Sequence, residues 1–321
     1  MNIENYKEEF LSFMTRNLSK SEPKNLYDPI KYIMSLGGKR MRPVLVLMSC
    51  DLFDGDIAEA MEAALSIEMF HNFTLIHDDI MDRADLRRGK ETVHKKWDLN
   101  TGILSGDALM IQSNQRLEYY EGTVFKELIS LYNKTALEVC EGQQLDIDFE
   151  TMQQVDHDEY LKMISYKTAV LVGAALKMGA IIGGASLDDQ KRIYNFGLNL
   201  GIAFQLQDDY LDTFGAQDFG KKIGGDIIEG KKTFLYIKAM ELAELNDKEQ
   251  LLKLYRDTEN EDRKISEVKS MFAKYNVAEM LLTEIENYTI KALADIDALS
   301  LDVSKQELLK DFAMSLMTRK T

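Results

Sequence analysis

Apolar residues recur along this chain every three or four positions, the period of a helix, almost from end to end. Tyr6, Phe10, Phe13 and Met14 form one stripe, which Leu18 continues. The runs Val44 to Phe53 and Ile57 to Phe73 are apolar on nearly every side and predict helices buried all round. The same pattern predicts helices over 126–145, 159–183, 188–214 and 233–245. The C-terminal quarter is more charged, with Val268, Met271, Phe272 and Tyr275 at helical spacing, and reads as outer helices with one buried face. Glycine and aspartate gather at 37–38, 86–89, 215–220 and 224–230, where loops are expected. Neither a Ser/Gly/Pro linker nor a solenoid-length repeat interrupts the pattern.

Composition sharpens this. The 321 residues include three prolines, Pro23, Pro29 and Pro43, and none beyond position 43. Sheets and their turns usually use proline, and long helices exclude it, so the chain reads as all-α. A net charge of −15 argues against a nucleic-acid partner. Cys50 and Cys140 lie in apolar helical stretches without metal-type spacing. They read as core residues of a reduced, cytoplasmic protein. The N-terminus lacks the basic start and long apolar run of a signal peptide. No stretch reaches the ~18 apolar residues of a membrane span. The nearest, 169–185, is broken by Lys177 and rich in Gly and Ala, which suits a buried helix with close neighbours.

Chemistry enters with a pattern that occurs twice. Asp78-Asp79-Ile80-Met81-Asp82 and Asp208-Asp209-Tyr210-Leu211-Asp212 are both DDxxD motifs closing apolar helices. Residues four apart share a helix face, so Asp78 aligns with Asp82 and Asp208 with Asp212. Crowded carboxylates repel unless a cation sits among them, and Mg²⁺ takes one or two carboxylates together with phosphate oxygens. Cations stand beside both motifs: Lys39, Arg40 and Arg42 on a glycine turn, Arg87 and Arg88 after the first motif, and Lys221, Lys222, Lys231 and Lys232 after the second. Guanidinium groups bind phosphate bidentately and lysine acts as a point charge. With apolar residues such as Phe73, Leu75, Ile76, Ile202, Phe204 and Leu206 ahead of each motif, an apolar molecule with a diphosphate head fits the whole pattern. Simple Arg–Asp pairing is the plainer account of the same clusters.

Taken together, the segments GGKRMRP, LIHDDIMDRADLRRG, GDAL (106–109), YKTA (166–169), FQLQDDYLD (204–212) and GKKIGGD (220–226) resemble the trans-isoprenyl diphosphate synthases of the polyprenyl synthetase family, in order and approximate spacing. The resemblance implies an isoprenoid synthase fold, a single large bundle of long, mainly antiparallel helices around a deep central cavity. Residues 1–321 would form one domain, usually as a homodimer. It implies condensation of isopentenyl diphosphate with allylic diphosphates (dimethylallyl, geranyl, farnesyl), with three Mg²⁺ ions per site. By match to the family, Asp78, Asp82 and Asp208 bind metal, supported by Asp79, Asp209 and Asp212. Arg87, Lys167, Lys222 and Lys231 hold the allylic diphosphate; Lys39, Arg42, His71 and Arg88 hold that of isopentenyl diphosphate. Thr168 and Gln205 direct oxygen dipoles at the allylic cation.

Two other classes compete. Glu68-x-x-His71 and Glu91-x-x-His94 carry the Glu-x-x-His spacing of carboxylate di-iron bundles, but that reading leaves both acidic motifs unexplained. A catalytically weak regulatory subunit of a prenyltransferase would lack some of the aspartates or cations that are all present here. Product length is expected to depend on Phe73 and Thr74, five and four residues before Asp78. That pairing is similar to short-chain geranylgeranyl diphosphate synthases (C20), then to farnesyl synthases (C15). His71 alone also reads as a core histidine, and His77 and His94 carry no assigned role.

Overall fold

The computed structural model describes residues 3–152, 154–215, 223–257 and 260–317. Lys221, Lys222 and the tail Arg319-Lys320 lie outside the described residues. As the proline count and periodicity predict, the structure is helical nearly throughout. It divides into two compact units.

The first unit comprises Met1–Lys134 and Ala174–Lys191. It contains helices α1 (Ile3–Asn17), α2 (Lys24–Ser35), α3 (Met41–Leu52), α4 (Ile57–Met81), α5 (Val93–Lys96) and α6 (Leu99–Gln115). Pro23 sits at the N-cap of α2 and Pro43 in the first turn of α3, where a missing N–H costs little; Pro29 lies inside α2. Helix α4 is the centre of this unit and packs against α3 and α6. It opens on an Asp56 cap, whose carboxylate accepts from the Ala58 N–H at 2.9 Å. Leu65, Ile67, Met69 and Phe70 are all at most 1% exposed, which is why the helix shows no polar face over its middle turns. Each such side chain stabilises the fold by about 1.5–3 kcal/mol.

One expected loop is more ordered than the sequence suggests. Leu86–Arg87 and Lys90–Glu91 pair as a two-stranded antiparallel hairpin, β1–β2. Arg88 and Gly89 form its turn with φ of 53° and 72°, as a two-residue turn with positive φ at both positions requires.

The second unit comprises Thr135–Gly173 and Arg192–Thr321. Helices α7 (Gly122–Thr151), α9 (Val170–Ile182) and α10 (Leu187–Phe214) contribute residues to both units. The second unit also holds α8 (His157–Ile164), α11 (Gly225–Glu229), α12 (Phe234–Leu242), α13 (Leu245–Arg256), α14 (Glu261–Lys274), α15 (Val277–Asp297) and α16 (Val303–Met317). Its core gathers Tyr160, Leu206, Phe234, Leu235, Leu251, Phe272 and Leu281. The helix expected over 159–183 is not uniform: a π turn, Ser165–Ala169, stands between α8 and α9. The run His157–Ile182 is long and apolar enough to cross a membrane by length and composition, and most of its apolar window is buried in the protein.

The two thiols part company. Cys50 is buried, and desolvation pushes its thiol up to about 12. Cys140, expected in the core, is exposed on α7. A small apolar residue on a half-buried helix follows the same period as a core one, so the sequence could not separate them.

Candidate active site

The first cluster lies in the first unit. Helix α4 ends at Met81, and Asp82 caps it with its N–H on the Asp78 carbonyl at 2.8 Å. Consecutive helix positions are rotated by about 100°, so the doublet Asp78-Asp79 splits between faces. Asp78 is half-buried and Asp82 exposed, whereas Asp79 is 1% exposed. The Asp79 carboxylate accepts from Arg87 Nε at 2.9 and 2.8 Å and from Arg87 Nη2 at 2.7 Å. A buried carboxylate needs such a partner. Arg87 is on strand β1, so the hairpin carries the counter-charge of the motif that precedes it.

The hairpin turn also aims Arg88. Its guanidinium donates to the Gly37 carbonyl. At Gly38 the backbone adopts φ +123°, and a Cβ there would lie 2.6 Å from Arg88 Nη1. The Gly37-Gly38 pair is therefore needed for both conformation and room. Beyond it, Lys39 is exposed, Arg40 is buried against Glu68, and Arg42 Nη1 lies 3.2 Å from His71 Nε2. Arg42 Nε is buried without a hydrogen-bond partner, an orphaned donor that an anion would satisfy. Burial, then the charges of Arg42, Arg88, Arg87 and Arg40, hold His71 well below its usual range. His71 is thus neutral beside a group of guanidinium ions. The di-iron reading loses both members of its first pair, since Glu68 is taken by Arg40 and His71 by Arg42.

The second cluster lies in the second unit, at the end of α10. The doublet splits in the same way: Asp208 is exposed and Asp209 is 5% exposed. Asp209 accepts from the Tyr160 hydroxyl, and from Gln205 Nε2 at 3.4 Å. Burial, then the nearby charge of Asp226, raises the Asp209 carboxyl to about 8. Thr168 Oγ1 donates to Gln205 Oε1 at 3.4 Å, so Thr168, Gln205, Asp209 and Tyr160 form one chain of contacts. Asp212 holds the backbone in place. Its carboxylate accepts the Asp226 N–H at 3.0 Å and its carbonyl the Gly224 N–H at 2.7 Å, fixing the start of α11.

The lysines divide as well. Lys167 lies in the π turn and pairs with Asp146 of α7 at 2.5 Å. Isolated π turns often mark functional positions. Lys231 lies 2.9 Å from Glu229 and 3.7 Å from Asp226; burial works against its charge, but these carboxylates raise it overall. Lys232 donates to the Phe149 carbonyl near the end of α7.

Both acidic motifs offer carboxylate oxygens alone, the donor set of a hard cation such as Mg²⁺. Among the described residues no three carboxylate, histidine or cysteine side chains converge as a metal cage. A Mg²⁺ site completed by water and substrate oxygens needs no such cage. The donors therefore fit Mg²⁺.

Below Asp78 on α4, Phe73 is 7% exposed and packs on Phe70 and His77, with centroids 5.5 and 4.9 Å away. Thr74 is half-buried and donates to the His71 carbonyl at 2.8 Å. Of the other apolar residues expected to line a pocket, Ile76, Ile202 and Leu206 are buried core. Ile202 and Leu206 belong to the core of the second unit. Asp146 and Tyr160 escape motif reading, because nothing local distinguishes a buried polar partner from an exposed one.

The family model of polyprenyl synthetases matches residues 23–273. The chain is 41% identical over 227 residues to a geranylgeranyl diphosphate synthase of Methanosarcina mazei, covering 70% of each chain. Its fold is similar to a crystal structure of a geranylgeranyl pyrophosphate synthase, with TM-score 0.94, 49% identity and 100% of both chains covered. It also matches the geranylgeranyl pyrophosphate synthetase of Pyrococcus horikoshii, with TM-score 0.92, 32% identity, and 99% and 97% covered.

Proposed function

The chain belongs to the polyprenyl synthetase family, and on that premise we propose that it joins isopentenyl diphosphate to allylic diphosphates and makes geranylgeranyl diphosphate as its main product. The observation that carries this reading is the sorting within each doublet. Asp78 is half-buried and Asp208 exposed, while Asp79 and Asp209 are buried against protein partners.

In this reading Asp78, Asp82 and Asp208 bind Mg²⁺, three ions per site, with Asp79, Asp209 and Asp212 in support. Mg²⁺ held there would neutralise the departing diphosphate. Arg87, Lys167 and Lys231 grip the allylic diphosphate, and Lys222 joins them on its sequence match alone. Lys39, Arg42, neutral His71 and Arg88 grip the diphosphate of isopentenyl diphosphate. The allylic C1–O bond breaks, and the oxygens of Thr168 and Gln205 face the resulting cation. The alkene of isopentenyl diphosphate attacks C1, and the proton then leaves to the released diphosphate. Apolar walls keep water from the cation.

Residues 1–321 act as one catalytic domain, a reading supported by a family match that runs through both units. The working form is a homodimer. Leu104 and Ile111, seven residues apart on α6, are 59% and 57% exposed and mark an apolar face to cover. Two free thiols suit the reducing cytoplasm.

The test is to incubate purified protein with isopentenyl diphosphate, each allylic primer and Mg²⁺, and to measure product length. A C20 product that vanishes with a chelator and returns with Mg²⁺ is expected. No elongation of any primer would overturn the reading.

A further inference from the structure

Glu68 sits in the middle of α4, ten residues before the acidic motif, with its side chain only 3% exposed. A carboxylate buried to that degree is costly unless it is paired and hydrogen-bonded. Here it is both. Its Oε1 accepts from Arg40 Nη1, and from Asn72 Nδ2 at 3.0 Å. Asn72 Nδ2 also donates to the Glu68 carbonyl at 2.8 Å, which fixes the amide one helical turn away.

Arg40 is equally specific. Its side chain is 2% exposed, and its second nitrogen donates to the Met34 carbonyl at the end of α2. Its backbone is left-handed, φ 51°, at the N-cap of α3, a conformation that non-glycine residues seldom adopt. Glu68 thus ties the end of α2, the glycine turn and the start of α3 to α4. The two residues flanking this tie matter most. Lys39 precedes Arg40, and Arg42 follows two residues later, held 3.2 Å from His71, which is itself three residues after Glu68.

We infer that Glu68 is a positioning residue for the isopentenyl diphosphate site: its carboxylate takes Arg40 as a buried counter-charge and so sets the register in which Lys39 and Arg42 meet the diphosphate. Glu68 does not touch substrate. The inference rests on the assignment of Lys39 and Arg42 made above. It explains why three neighbouring cations do not act alike, since one of them is spent inside the protein. A purely structural ion pair would lower stability without favouring either substrate.

The experiment compares wild type with Glu68→Gln, Asn72→Ser and the double variant Arg40→Met/Glu68→Met, reading the KM of each substrate, kcat and Tm. Replacing a buried ion pair by apolar side chains of similar length is often neutral or stabilising, so the double variant guards against unfolding. Asn72→Ser is the mildest change and leaves the ion pair in place. Glu68→Gln should raise the KM for isopentenyl diphosphate at least tenfold and leave the allylic KM within twofold. The double variant should keep that raised KM even with Tm restored, and Asn72→Ser should raise it about threefold. An isopentenyl diphosphate KM within twofold of wild type in whichever of the three variants fold, or an equal rise for both substrates, overturns the inference. Wild-type turnover is measured first. Its absence would count against the proposed function, whereas normal turnover with an unmoved KM counts against Glu68 alone.

Discussion

Adjacent identical residues do different work here. Asp78 and Asp79 differ by one position, yet Asp79 is buried and locked to Arg87 while Asp78 is half-buried. Asp78→Ala or Asp208→Ala should each lower turnover by about 10²-fold or more, as loss of a main transition-state stabiliser does. Both should stay folded, with a small change in melting temperature, because both side chains lie in the last turns of a helix and neither is fully buried. A fully active Asp208→Ala enzyme would remove the second cluster from the chemistry. His71 gives a pH dependence. Its folded pKa is depressed by burial and by Arg42, Arg88, Arg87 and Arg40, while its unfolded value is about 6.5. The unfolded chain therefore takes up the proton first. The contribution of His71 is complete above about pH 6.5 and is lost as pH falls below it. Melting temperatures between pH 7 and pH 5 should fall less steeply in His71→Gln than in wild type, and parallel curves would reject this. At this scale the sequence revealed which residues matter through their spacing. It did not reveal which member of each doublet faces inward, since that is decided by partners outside the motif, Arg87 for Asp79 and Tyr160 for Asp209.

Among elements, the long helices were legible because their period is local, and the special turns were not. The π turn that carries Lys167 and Thr168 looks in sequence like ordinary helix. It packs tightly on α7. A Cβ on Gly142 of α7 would lie 2.2 Å from the Lys167 nitrogen, so α7 and the π turn meet backbone to backbone. Gly142→Ala should push them apart. Overpacking of this kind costs about 1–3 kcal/mol. The melting temperature should drop by several degrees, and the KM for the allylic substrate should rise because Lys167 moves with its turn. Thermal melts and steady-state kinetics check both, and an unchanged KM would show that Lys167 is not held by this contact. The hairpin at 86–91 was equally hidden. Arg88-Gly89 lacks the Asn-Gly or Asp-Gly signature, and its turn is supported instead by the Arg88 contact with Gly37.

For the whole molecule, the proline distribution and the helical period were enough to exclude a sheet protein. They said nothing of the division into two units, because the apolar period runs through α7, α9 and α10 without a break. Product size is the property that the whole molecule sets. Phe73 lies five residues below Asp78, about 7.5 Å along α4, and Thr74 four residues below, about 6 Å along and nearly on the same face. Thr74→Phe should shorten the main product by one or more isoprene units, and Phe73→Ala should lengthen it. The C15, C20 and C25 yields of wild type and both variants, at one substrate ratio, decide this. If neither distribution moves, another helix sets the limit, such as the one carrying Met110 and Ile111.

Phe73 does not stand alone on α4. Its ring leans on His77 at 4.9 Å, and His77 adjoins Asp78 and lies 3.2 Å from the Ile103 carbonyl of α6. Gly106 leaves space for that imidazole, since a Cβ there would come within 2.2 Å of His77 Nε2. On the proposed roles, the gauge for the tail and the anchor for the head would be mechanically joined. Removing the Phe73 ring to admit a longer chain also takes away a wall from His77, one residue from the metal motif. Lineages that lengthen their product through this position would pass through slow enzymes first, and would regain speed by refilling the space beside His77 and not by restoring Phe73.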